Sequence, residues 1–217
     1  MKRILYTVIA AAFIIFYSGP SHAAPFTENF EGDLSAWTGK TPGSHNGKIM
    51  FDSNSGSNVL HFTDVNSAGD IFTTATFSSA TDQFFLSFDY LGLSNPDNGG
   101  VADNLGGFVG YSYGFPGTHA WLAGTDAGYV DPIAGPVTHL HDIGQWVHIE
   151  IAFSAAGNIH LMLEDFWKPY GLAIAGDAYF DNIVLESAAP IPEPATMLLL
   201  GSGLVGLAVF KRRFRKR

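Results

Sequence analysis

Tyr111, Tyr113, Trp121 and Trp167 are the side chains of this sequence best suited to holding a ligand. Tyr and Trp pair a flat apolar body with a polar tip, which suits stacking on a sugar ring while bonding its hydroxyls. Phe115 stands among them, and Gly110, Gly114 and Gly117 leave backbone open to close approach. The same rings can instead fill a core, and Tyr111 and Tyr113, two apart on a strand, would then share one inward face. Glu150 and Glu164 offer the acid and base of a glycosidase, although alternate positions of neighbouring strands are also where solvent-facing acids belong. His139 and His141, followed by Asp142, would project to one side of an extended segment and supply two ligands to a transition metal; no third is identifiable. Pro96-Asp97-Asn98-Gly99-Gly100 with Asp103-Asn104 is an oxygen-rich loop of the composition that turns require anyway. The chain has no cysteine, which rules out thiol catalysis, disulfides and cysteine metal sites, and no nucleophile-elbow motif accompanies its Ser, His and Asp residues.

Strands must position these groups. Phe84–Leu91 alternates Phe84, Leu86, Phe88 and Tyr90 with Phe85, Ser87, Asp89 and Leu91. In Trp146–Phe153 the apolar set Val147, Ile149, Ile151 and Phe153 alternates with His148, Glu150 and Ala152. Ala155-Ala156-Gly157-Asn158 reads as a turn before Ile159, Leu161 and Leu163, so these two segments are expected to form an antiparallel hairpin. Further strands are expected at Lys48–Phe51, Val59–Thr63, Asp70–Phe77, Gly107–Tyr113 and Ala178–Glu186. No long amphipathic helical pattern precedes residue 190. The expected fold is all-β, an antiparallel two-sheet β-sandwich of jelly-roll type over residues 24–186.

Both ends of the chain carry a different pattern. Lys2 and Arg3, apolar Ile4–Tyr17 and Ser21-His22-Ala23 form a signal peptide over residues 1–23, with cleavage expected after Ala23. Residues 187–191 form a linker, followed by Pro192-Glu193-Pro194, an uncharged apolar run Ala195–Phe210 and a basic tail, 211–217. As a helix the apolar run reaches about 24 Å, short of the ~30 Å hydrocarbon core but able to span it with local thinning and snorkelling of Lys211 and Arg212. The terminal cations orient the tail to the cytoplasm and leave the β-domain outside. Removing both ends exposes the charge of the middle. Lys40, Lys48 and Lys168 face nineteen Asp and Glu, with no Arg, so residues 24–190 carry −16 against −9 for the whole chain. Phosphate recognition needs a basic surface, which excludes nucleic acid as a partner.

The ordered tail, Pro192-Glu193-Pro194-Ala195-Thr196, glycine-containing apolar helix and Arg-rich end, resembles the PEP-CTERM sorting domain of Gram-negative, polysaccharide-producing bacteria. The resemblance implies passage through the secretion machinery and across the inner membrane. It also implies processing near Pro192, Glu193 and Pro194 by an exosortase, an integral-membrane cysteine transpeptidase. The product would be delivered from a membrane-anchored precursor to the cell surface or extracellular matrix. Separately, Phe26-Thr27-Glu28-Asn29-Phe30-Glu31-Gly32 through Trp37 is similar to the opening of carbohydrate-binding jelly rolls, and Tyr179-Phe180-Asp181-Asn182-Ile183-Val184-Leu185 to their closing strand. That likeness implies first and last strands side by side, often bridged by structural calcium. Glu28 or Glu31 with Asp181 would then supply carboxylates to an ion that takes six to eight oxygens; otherwise Asp181 caps a turn and the glutamates are solvated.

These readings point to a non-catalytic, exported envelope protein engaged in adhesion, matrix building or polysaccharide contact, with structural calcium as the one expected cofactor. The alternative is an envelope glycan hydrolase on the same scaffold. Two facing carboxylates among aromatics would favour it.

Overall fold

The computed structural model describes residues 24–39, 47–62, 70–93, 106–114, 117–125, 128–165 and 178–188. The signal segment, the Pro96–Asn104 loop, Trp167 and the sorting tail with its expected helix at 195–210 lie outside the described residues. Within them no helix is long and apolar enough to cross a membrane.

The described chain is built of strands: β1 (Phe26–Glu28), β2 (Trp37–Gly39), β3 (Gly47–Asp52), β4 (Ser57–Phe62), β5 (Ile71–Thr73), β6 (Gln83–Gly92), β7 (Gly107–Ser112), β8 (His119–Gly124), β9 (Val130–Asp131), β10 (Gly135–Pro136), β11 (Thr138–His139), β12 (Val147–Ser154), β13 (His160–Asp165) and β14 (Ala178–Ser187). One sheet has the order β12-β6-β14-β4-β3, with β1 added to β14; the other runs β11-β8-β7-β13-β5-β2. β9 and β10 form a small hairpin of their own.

Period-two alternation explains which face each strand buries. Phe84, Leu86, Phe88 and Tyr90 on β6 are all at most 1% exposed and join Leu60, Phe62, Phe180, Ile183 and Leu185 in the core. The second sheet contributes Trp37, Ile71, Val109, Tyr111, Leu122, Leu161 and Leu163. Tyr111 of β7 and Phe153 of β12 stack across the interior, rings 5.5 Å apart and 16° from parallel, so the two sheets meet face to face. β1 lies against β14 in register Phe26↔Leu185 and Glu28↔Ile183, placing the first and last strands side by side.

Two expectations need correction. The hairpin over residues 147–163 does not exist. β12 pairs with β6, whereas β13 inserts between β7 and β5 in the opposite sheet. The chain crosses between sheets through Gly157, whose φ is +76°, and Ile159 exchanges backbone hydrogen bonds with Phe77. Alternation fixes which side of a strand is buried but is silent on its neighbour, and a short glycine-containing link serves a crossing as well as a hairpin. The sheets are also not wholly antiparallel, because β11 runs parallel to β8. The β9–β10 hairpin reverses the chain in between and returns it in the direction of β8.

Candidate functional site

The outer face of the β12-β6-β14-β4-β3 sheet is set by the core. With Tyr90, Phe180 and Leu60 pointing inward, their neighbours Leu91, Tyr179 and His61 point out, aligned in register with Lys48 of β3. The rings of Tyr179 and His61 stack at 4.3 Å and 8°. One row along, Asp89 and Asp181 are direct cross-strand partners. A bulge follows at Asn182, held at φ +49°. Asn182 donates through Nδ2 to Asp89 (2.8 Å), whose other oxygen lies 2.6 Å from His148 Nδ1. Asp181 accepts from the Asn182 backbone N–H (2.8 Å) and the Ser57 hydroxyl (2.9 Å).

Trp146 immediately precedes β12 and its indole N–H donates to Asp52 Oδ2 at 2.9 Å. Asp52 ends β3, at the far edge of the same sheet. A bond between opposite edges requires the sheet to curl over its outer face. Burial agrees: Val59 (0% exposed) and Leu91 (5%) occupy outward positions yet are shielded from water. Burial pushes the Asp52 carboxyl up, but hydrogen bonds from Trp146, Ser55 and Asn54 outweigh it and leave the group below its ordinary value. Further along this face, half-exposed Phe85 with Ser87, Val184, Glu150 and Glu186 lines an open groove of about 480 Å3.

The outer face of the other sheet holds a smaller cleft, about 210 Å3, lined by Asp70, Phe72, Gly117, His119, Trp121, Met162 and Glu164. Register places Trp121, Gly110, Met162, Phe72 and Thr38 in one row across β8-β7-β13-β5-β2. Trp121 meets Phe108 and His119 edge-on at 5.3 and 5.4 Å. Its backbone N–H donates to Asp131 Oδ2 (3.0 Å), while Ile133 and Ala134 N–H donate to Oδ1. Burial raises the Asp131 pKa, yet these three donors overcome it and hold the carboxyl low.

The sequence-selected ring set therefore separates. Tyr111, 1% exposed, is a core residue, and burial with a contribution from Tyr113 pushes its phenol up to about 12. Tyr113 lies past the end of β7, 42% exposed and edge-on to Tyr111. Trp121 alone of the described three faces a cleft, and Trp167 is outside the described residues. Glu150 and Glu164 stand on different sheets and opposite outer faces, so they cannot flank one bond. His139 and His141 do meet, rings 4.1 Å apart, but Asp142 turns away to accept the Tyr90 hydroxyl at 2.6 Å.

The expected calcium ligands are engaged with protein donors. Glu28 accepts the Phe30 N–H (2.9 Å) and the Trp37 indole N–H (3.0 Å), fixing the β1–β2 corner. Glu31 clamps the backbone and side chain of Asn58. Asp181 is raised above its ordinary value by burial, with added repulsion from Asp89 and Glu31. Among the described residues no group of three or more His, Asp or Glu is arranged to hold a metal.

Sequence reasoning missed Trp146, Tyr179, His61, Asp52 and the Asp89–His148 contact. A phase signal was available: each falls out of step with an inward-facing neighbour, Trp146 beside Val147, Tyr179 beside Phe180 and His61 between Leu60 and Phe62.

Comparison with curated proteins finds none that matches this sequence. Among solved structures the chain is similar to the K1 cleaved adhesin domain of Lys-gingipain from Porphyromonas gingivalis (11% identity, 76% of this chain and 99% of that one, TM-score 0.47). It is also similar to the CBM22-1 xylan-binding domain of Paenibacillus barcinonensis Xyn10C (17%, 79% and 100%, 0.45). A third is the C-terminal CBM6 of LamC, a laminarinase from Zobellia galactanivorans (12%, 76% and 100%, 0.39). None of these likenesses is close enough to transfer a ligand or a site. The tail is different, because its match is to the sequence itself: residues 190–213 carry a PEP-CTERM protein-sorting motif, which marks the chain as an exported protein processed by an exosortase in the cell envelope.

Proposed function

We propose that this exported protein is a non-catalytic polysaccharide-contact module, acting at the cell surface or in the matrix after its tail is processed. Its glycan lies across the curled outer face of β12-β6-β14-β4-β3. The observation that carries this reading is the stacked Tyr179–His61 pair on the same face as Trp146, whose indole Asp52 holds in place. Flat rings receive the apolar faces of pyranoses. The hydrogen-bonded series His148, Asp89 and Asn182 alongside them offers partners for sugar hydroxyls. Ring positions fixed by neighbours lose little freedom on binding.

The test is a glycan array on the full-length chain in non-ionic detergent, followed by calorimetry on the best ligand. Tyr179→Ala and Trp146→Ala should each weaken binding about tenfold or more, near 1.4 kcal/mol. Trp146→Phe, which keeps a ring but loses the bond to Asp52, should lose less. Unchanged affinity in both alanine variants would sink the proposal.

The hydrolase alternative draws on Asp70 and Glu164, which line one cleft with Trp121. Asp70 directly precedes β5, and the β13–β5 register, Leu163↔Ile71, leads to Glu164 on the adjoining strand, so both acids rise from one floor. A glycosidase needs its two carboxyls to approach the bond from opposite sides, so we prefer binding. Release of reducing ends from the bound glycan, abolished by Glu164→Gln, would reverse that preference.

A further inference from the structure

We propose that the outer edge of β12 pairs with the same edge of a second copy of this chain, antiparallel and centred on Ile149, so that two β12-β6-β14-β4-β3 sheets run on as one. The pairing uses an edge rather than a face and does not need the glycan reading, so the two stand or fall separately.

Among the described residues no strand flanks β12 on the side away from β6. Such an edge offers a row of backbone donors and acceptors to another chain, and proteins ordinarily blunt it with short strands, Lys, Pro or bulges. The other edges follow that rule: β11 has two residues, β1 and β2 have three each, and β3 carries Lys48. β12 does not. It is eight residues long, contains no Lys, Pro or Gly, and keeps unbroken register with β6 from Val147↔Tyr90 to Ser154↔Gln83. Its inward row is only half-covered. Val147, Ile149 and Ile151 are half-buried, although their β6 partners Tyr90, Phe88 and Leu86 are at most 1% exposed. A further strand beside β12 would cover that row and satisfy the backbone along it.

The sequence of β12 selects a second copy as that strand. A twofold axis perpendicular to the sheet sets two identical strands antiparallel with matching faces. With Ile149 on the axis, Val147 meets Ile151 of the second copy on the inward side, and His148 meets Glu150 of the second copy on the outward side. Each contact occurs twice. An axis through Glu150 would oppose two glutamates and one through His148 two imidazoles, and like charges directly opposite across strands are destabilising. The polar residues therefore permit pairing but restrict it to one register. His148 Nδ1 already lies 2.6 Å from Asp89, whereas Nε2 stands 3.7 Å from Glu150 of its own chain, too far for a hydrogen bond. Nε2 is the nitrogen left to the second copy, and a protonated ring donates from both. Exposed pairs of this kind add little affinity; they fix register, while backbone bonds and the apolar row supply the hold. The acidity of the two domains acts at longer range and is screened beyond about 8–10 Å at physiological salt. The joined sheets would present two outer faces side by side, so a polymer reaching both would be held with avidity.

The experiment is sedimentation of the full-length chain in non-ionic detergent over a range of concentrations, with oxidative cross-linking in parallel. The chain should pass from monomer to dimer as concentration rises. His148→Glu, which opposes glutamates across the axis, and Glu150→Lys should each weaken dimerisation about tenfold or more. Combining the two substitutions in one chain restores unlike charges and should recover the dimer. The two single variants, mixed, should form a dimer that neither forms alone. Because the chain has no cysteine, Ile149→Cys adds a single thiol. The proposed register sets it against its own copy with Cα atoms roughly 4.5–5.5 Å apart, within reach of a disulfide. Ile149→Cys should therefore cross-link into dimers, whereas Ser154→Cys, far from the axis, should not. A chain that stays monomeric at every concentration overturns the proposal. So does a dimer indifferent to the charge variants, which is held elsewhere, or a Ser154→Cys variant that cross-links as readily as Ile149→Cys. Melting temperatures check that each variant folds; should His148→Glu unfold through loss of its Asp89 contact, Glu150→Lys and the cross-linking pair decide.

Discussion

Two aspartates show how burial and hydrogen bonding decide the charge that a single residue contributes. Asp131 is held low by three backbone donors, so it stabilises the fold above the ordinary Asp pKa, and that contribution disappears as acid carries the pH through its lowered value. Asp131→Asn removes one acceptor oxygen while keeping the size. It should cost about 1–3 kcal/mol, the penalty for a buried donor left unmatched, and should loosen the Trp121 backbone that it holds. A urea titration monitored by tryptophan fluorescence checks both. Asp181 has the opposite sign. Its pKa is raised by burial and by Asp89 and Glu31, so the ionised form burdens the fold at neutral pH and protonation relieves it. Asp181→Asn should therefore raise the melting temperature at pH 7, with the gain shrinking as the pH approaches the ordinary value of 3.8. A gain that persists undiminished at low pH would show that the buried charge is not the cause. A bound calcium would relieve the same repulsion, which makes this residue the place where the expected cofactor can be tested. If melting is the same in chelator and in millimolar calcium, Asp181, Glu28 and Glu31 serve only the donors they already have.

The crossing from β12 to β13 is the element on which the two-sheet architecture turns. Gly157 adopts a left-handed conformation there that costs an L residue roughly 1–2 kcal/mol. Gly157→Ala should destabilise by about that amount without altering the proposed glycan binding, as seen in parallel melting and calorimetric titrations. Gly110→Ala should behave differently. Its obstacle is the Ala120 backbone, which cannot swing aside, so β7 and β8 must separate and the loss of stability should exceed that of Gly157→Ala. Most of the strands were legible in the sequence because alternation is local. The strands at Phe84–Leu91 and Trp146–Phe153 fall within a residue of their expected bounds. The false hairpin arose because pairing is not local; β2, β9, β10 and β11 escaped notice because two or three residues leave too few periods to read, and β8 because Ala120, Trp121, Leu122 and Ala123 run apolar without alternation.

At the scale of the molecule, the sorting motif and the charge of the β-domain act together. A strongly acidic, arginine-free domain repels acidic polymers and draws cationic ones toward itself. Replacing Pro192 and Glu193 by Ala should leave an unprocessed form of the chain in the inner-membrane fraction, visible as a larger band on immunoblots. Unchanged processing would mean that the motif is not the signal that the envelope machinery reads. Because the sorting motif and the proposed glycan face lie in separate segments, glycan affinity of the unprocessed variant should match that of the original chain.

The sequence by itself determined the destination of the protein, its all-β class, the inward and outward phase of its longer strands and the acidity of its exported part. All of these are properties of short contiguous stretches or of composition. Tertiary structure decided which outward residues share a surface. It sent Tyr111 into the core, put Glu150 and Glu164 on opposite faces, and joined Trp146 to Asp52 across ninety-four residues of chain. The physical reason is that a strand's own pattern specifies only its two sides. Which strands lie next to it, and how far the sheet curls, follow from packing the whole core at once.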